Sequence, residues 1–116
     1  MGKDLYAVLN KHSRIDYDKK QVSKLIFQII HCKDERKTAD YKYDLFKKSS
    51  KLLIKAINNF YKLVENIPKD KVLHTQSDIA SECWFIFDRC VTNIKVTDHK
   101  KYNFYLNTSL NRGLLS

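Results

Sequence analysis

An all-α fold is what this sequence predicts, and three observations carry the prediction. Apolar residues recur at threes and fours along most of the chain, the spacing of a helical face and not the alternation of a strand. Two glycines and one proline in 116 residues leave too little punctuation for the turns of a many-stranded sheet. Hydrophobic residues make up 43% of the chain, enough for a packed core and too many for wholesale disorder. One domain spanning 1–116 is expected, a compact helical bundle of three longer helices plus short ones. At this length it buries a core without a metal or disulfide staple.

Each element has its own signal. Leu5, Val8 and Leu9 share one face, so residues 3–11 are predicted as a short helix, followed by a connection through Tyr17. Val22, Leu25, Ile26, Ile29 and Ile30 predict a helix at 18–32, with Asp16 or Asp18 as its cap. Lys33 to Asp40 is charged and without apolar period, which predicts a loop. The longest helix is expected over 41–68, on Leu45, Leu52, Leu53, Ala56, Ile57, Phe60, Leu63, Val64 and Ile67. Lys47, Lys48, Lys51, Lys55 and Lys62 fill its other side, and Pro68 ends it, because the ring disfavours helix at the preceding residue.

The third long helix, 76–94, takes Thr75 or Ser77 as its cap. Ile79, Cys83, Ile86, Phe87, Cys90, Val91 and Ile94 form its inward stripe, while Asp78, Ser81, Glu82 and Asp88 project elsewhere. After a turn at Lys95 to His99, residues 100–116 hold the last helix, with Tyr102, Tyr105 or Leu106, Leu110 and Leu114 facing inward.

Charge and composition narrow the function. A net charge of +9 favours a polyanionic partner, and only four of the 22 basic residues are arginine, which suits diffuse phosphate attraction better than bidentate base reading. Cys32, Cys83 and Cys90 make an odd count, two of them on one apolar stripe, the pattern of a reducing cytoplasm. No stretch approaches the length of a membrane span and the N-terminus has no signal-like apolar run, so a soluble cytoplasmic protein with no membrane partner is expected. His12, His31, His74 and His99 are scattered, with no pair at i, i+4, so no metal site is expected. The two glycines cannot build a phosphate loop, and no nucleophile has a base at hand; neither an enzyme nor a cofactor is implied.

The last helix opens on Lys100-Lys101-Tyr102-Asn103-Phe104-Tyr105, and three aromatics in four helical positions cannot all face one core. At least one ring is expected at the surface beside lysines. There it forms a stacking platform for an unpaired base, worth about 1–3 kcal/mol per base. The plainer reading makes Tyr102 and Tyr105 core residues and leaves only Phe104 unexplained. Trp84, at the edge of the buried stripe, poses the same choice between packing and an interface anchor.

Over Asp78 to Leu114 the chain resembles region 2 of the sigma-70 family of bacterial RNA polymerase initiation factors. Asp78-Ile79 with Glu82, the apolar run to Val91, and Lys101-Tyr102 with Tyr105 fall into the family register without a gap, and Leu53 to Tyr61 looks like the preceding family helix. The resemblance implies a sigma region 2-like bundle in the cytoplasm of a bacterial host. In it Asp78, Ser81, Glu82 and Trp84 face the clamp helices of the core polymerase's largest subunit, while Lys101, Tyr102, Tyr105, Thr108, Ser109 and Arg112 face promoter DNA. The lysine–aromatic reading adds Lys100 and Phe104.

Thr108-Ser109 stands where the family has a tryptophan pair, Cys83 replaces a glycine and Asn111 an arginine; divergent phage late-gene sigma factors also lack the pair. The family's later domains are absent, so additional transcription factors are expected to supply their contacts unless the chain is a fragment. The alternative is a small basic four-helix protein that binds RNA or another protein.

Overall fold

A computed structural model describes residues 4–64, 76–95 and 97–115. Among them are six helices and no strand: α1 (Leu5–His12), α2 (Lys19–His31), α3 (Glu35–Lys48), α4 (Ser50–Val64), α5 (Gln76–Thr92) and α6 (His99–Leu115). The all-α bundle of longer helices plus short ones is as expected, with one more helix than the five predicted element by element. Among the described residues no helix is long and apolar enough to cross a membrane.

Aspartates start four of the helices. Asp4 accepts from the Ala7 amide (3.3 Å), Asp18 from Lys20 (2.9 Å), Asp34 from Arg36 (3.0 Å) and Asp98 from Lys100 (2.8 Å), each satisfying amides that have no partner inside the helix. Of the two proposed caps for α2, Asp18 is the one used; Asp16 instead pairs with Lys51. The helix stop predicted at Pro68 and the cap predicted at Thr75 lie outside the described residues.

Two expectations need correction. The predicted loop 33–40 is largely helix, because α3 begins at Glu35 on the Asp34 cap. Its first residues, Glu35, Arg36 and Lys37, are exposed, as are Ala39 and Asp40, so this stretch has no buried face and therefore no apolar period. The predicted helix 41–68 is in fact the end of α3 and a separate α4. Ser49 is the break: its hydroxyl donates to the Leu45 carbonyl (2.8 Å) and its amide is shared between Leu45 and Phe46, while Ser50 turns its hydroxyl back to Lys47.

Both serines are buried, and the redirection lets α3 pack on α2 while α4 packs on α1 and α6. With its proton committed to Leu45, Ser49 Oγ accepts a hydrogen bond from the Tyr102 hydroxyl (2.6 Å), tying the bend to α6. Burial pushes the Tyr102 phenol well above its usual range, so it stays a donor.

Tyr102→Phe is expected to cost about 1 kcal/mol, the net worth of one hydrogen bond, because Ser49 keeps Leu45 as a partner. Urea denaturation should show a lower midpoint at unchanged slope. A loss of several kcal/mol would mean that the phenol holds the bend by more than this bond.

Helix α5 touches each of the other five and forms the middle of the bundle. Its Ile79, Ala80, Cys83, Phe87 and Val91 are buried, joined by Leu9, Ile26, Leu45, Phe46, Leu53 and Ile57 from the surrounding helices. Tyr102, Leu106 and Leu110, one turn apart, form the inward stripe of α6. Near the α1 end, His12 bonds Tyr17 (2.7 Å), and desolvation with Lys47, Lys11 and Lys48 nearby pulls the imidazole below its ordinary value.

Candidate functional site

Helices α5 and α6 lie side by side in opposite directions. Gly113 approaches Ile86 so closely that a Cβ there would stand 2.5 Å from Ile86 Cδ1, and about one turn further along α5 and one turn back along α6 Cys90 shares a hydrogen bond with Ser109. The inward faces of both helices are consumed by the core, which leaves two outward lines of side chains to consider.

The α5 line is acidic at its start. Asp78, Ser81 and Glu82 are exposed at one-turn spacing, where carboxylates also suit the positive end of the helix dipole. Phe85, 61% exposed, continues the same line, and Arg89 follows it one turn later. Sequence reasoning passed over Phe85 and Arg89, although their spacing of three and seven from Glu82 puts them on its face.

Trp84 is set apart from this line. It is half-buried and turned toward α3, with its ring 5.0 Å from Phe46 in an edge contact, 5.6 Å from Phe87 and 6.3 Å from Tyr43. Asp88, on the same flank, pairs with Lys42 of α3 at 2.9 Å. The geometry supports packing for Trp84, not membership of the acidic line.

The α6 line carries the rings. Phe104 is 68% exposed and Tyr105 49% exposed, their centroids 6.1 Å apart in an edge arrangement, with Lys100, Lys101 and Arg112 exposed on the same helix. Thr108 and Ser109 are half-buried. Tyr102 is the correction here: at 1% exposure, with its hydroxyl on Ser49, it has no face for a base. The helical period explains it, since Tyr102 shares its face with Leu106 and Leu110 whereas Phe104 is turned away.

Cys83 is buried and its thiol is pushed up to about 12 by desolvation and the neighbouring Glu82, and Cys90 is raised by burial as well. Such thiols are poor nucleophiles. Among the described residues no three His, Cys, Asp or Glu side chains gather where a metal could sit. What these two helices offer is therefore a surface: one acidic line with an aromatic in it, and one line of rings among cations. Comparison with protein-family models, with curated proteins and with solved structures finds no match to this chain.

Proposed function

We propose that this chain is a sigma region 2-like transcription initiation domain, of the divergent kind found in phage. It attaches to the clamp helices of core RNA polymerase through Asp78, Ser81 and Glu82, and captures unpaired promoter bases with Phe104 and Tyr105. The observation that carries the reading is the pairing of the two lines on neighbouring helices: Asp78, Ser81 and Glu82 are all exposed on α5, and two of the three rings are exposed on α6. The mechanism is positioning. The acidic line meets a basic partner, Phe85 adds an apolar anchor of the kind that dominates interface energetics, and Lys100 and Lys101 draw the DNA backbone toward the rings. Additional transcription factors supply the upstream contacts.

The readout is copurification with core polymerase together with binding to single-stranded promoter DNA. Phe104→Ala is expected to weaken binding of single-stranded DNA by about 1–3 kcal/mol while leaving polymerase copurification and the salt dependence of DNA binding unchanged, because a ring stacks and does not neutralise phosphate. Equal loss of both activities would point to unfolding, and no loss of DNA binding would remove the ring platform.

A second reading has support elsewhere on the surface. Lys51, Lys55 and Lys62 are exposed along α4, and Lys20, Lys24 and Phe27 along α2, cation-rich faces that suit a small basic RNA-binding protein. Structured RNA bound in preference to single-stranded DNA, with no attachment to polymerase, would select it.

A further inference from the structure

Between α5 and α6 runs a groove of about 720 Å³, room enough for a nucleotide. Its apolar lining comes from Ile86 and Cys90 of α5 and from Ile94 just beyond the end of that helix. Arg89 and Lys95 stand on the α5 side, Arg112 on the α6 side, and Tyr105 forms part of a wall. None of the described residues that line it is acidic. Asp88, next to Arg89 in sequence, is drawn off to Lys42, and among the described residues neither guanidinium is held in an ion pair.

The choice of cation is informative. The chain has only four arginines among its 22 basic residues, and two of them meet here. A guanidinium presents a planar fork that matches phosphate oxygens two at a time, which the lysines scattered over the other faces cannot do. Three like charges around one concavity with apolar walls focus the field on whatever anion enters it. A half-exposed phenol ring beside them offers a flat face of the size of a base.

We propose that this groove holds the phosphate backbone of a single DNA strand, with Arg89 and Arg112 clamping a phosphodiester from opposite sides, Lys95 beside them, and Tyr105 against the adjoining base. The assignment rests on the single-strand reading given above, but it adds α5 to the DNA surface: the helix that carries the acidic line at its start carries a phosphate clamp at its end. The strand would then lie along the helix pair, with Phe104 outside the groove taking a neighbouring base.

The test is fluorescence anisotropy of a labelled oligothymidylate across a salt series, with wild type, Arg89→Gln, Arg89→Lys, Lys62→Gln and Phe104→Ala. Arg89→Gln is expected to weaken binding roughly tenfold or more and to reduce the salt slope by about 0.7, the share of one phosphate on a single strand. Arg89→Lys should keep the slope and lose part of the affinity, and Lys62→Gln, on the exposed side of α4, should change neither beyond the general charge effect.

Arg89→Gln matching Lys62→Gln in affinity and slope would overturn the clamp, even if Phe104→Ala still weakens binding and so upholds the ring platform. Conversely, a loss confined to Arg89→Gln, in a protein that ignores polymerase, would keep the clamp and end the sigma-like reading. Thymidine monophosphate competing as well as the oligonucleotide, phosphate for phosphate, would overturn the strand in favour of a free nucleotide.

Discussion

Glu82→Lys is expected to remove copurification with core RNA polymerase while leaving the helical circular dichroism and the thermal transition in place. Glu82 is exposed in the middle of the α5 line, between Asp78 and Phe85, so the substitution disturbs no packing. Reversing a charge at an interface that relies on an acidic patch replaces attraction by repulsion, and losses of roughly 2–5 kcal/mol are typical when a desolvated charge pair is broken. That corresponds to a fall in affinity of more than tenfold at the lower bound. Lys62→Glu, which also inverts a charge but on α4, serves as the control and should bind normally. Full retention of binding by Glu82→Lys would remove the polymerase from the proposal, whatever the DNA measurements show.

The largest effect on stability should come from Phe46→Ala. Phe46 is fully buried where α3 meets α5, 5.2 Å from Phe87 and 5.0 Å from Trp84, both in edge contacts that add to the area buried. Truncation removes the ring and leaves a cavity whose walls are rigid helices, at a cost of about 3–5 kcal/mol. Phe85→Ala removes the same ring from the exposed face of α5 and should change stability by no more than about 0.5 kcal/mol. Urea denaturation of the two variants side by side separates the buried aromatic from the exposed one; equal losses would mean that Phe85 is not a surface residue. The same pair bears on the interface, because Phe85→Ala is expected to weaken polymerase attachment without unfolding the chain.

Much of this architecture can be read from the residues. Helices α2, α5 and α6 stand within two residues of their predicted limits because each buries one continuous face, and burial is what writes a period of three and four into a sequence. The early start of α3 was hidden because Glu35 to Lys37 face water on every side, so only the Asp34 cap signalled it. The Ser49 break was hidden for the opposite reason. Its apolar neighbours keep the period across the bend, and two serines do not by themselves distinguish a bend from a turn of regular helix.

The candidate site divides in the same way. That Asp78, Ser81 and Glu82 share an outward face, and that Phe104 cannot point inward with Leu106 and Leu110, follows from the period of one helix. Whether a residue at the margin of a buried stripe is covered depends on which helix lies beside it. Trp84 is covered by Phe46 and Tyr43, and Tyr102 is enclosed by α4 and bonded to Ser49. The meeting of Arg89 with Arg112 is likewise a matter of the antiparallel register of α5 and α6, set by the close approach of Gly113 to Ile86.

From its sequence alone this chain is determined to be helical, strongly basic and amphipathic, because those properties belong to single residues and to the period of a single helix. Which rings are sheltered, where the long helix bends and which cations converge were decided only by the tertiary structure, since each depends on side chains brought together from segments distant in the chain.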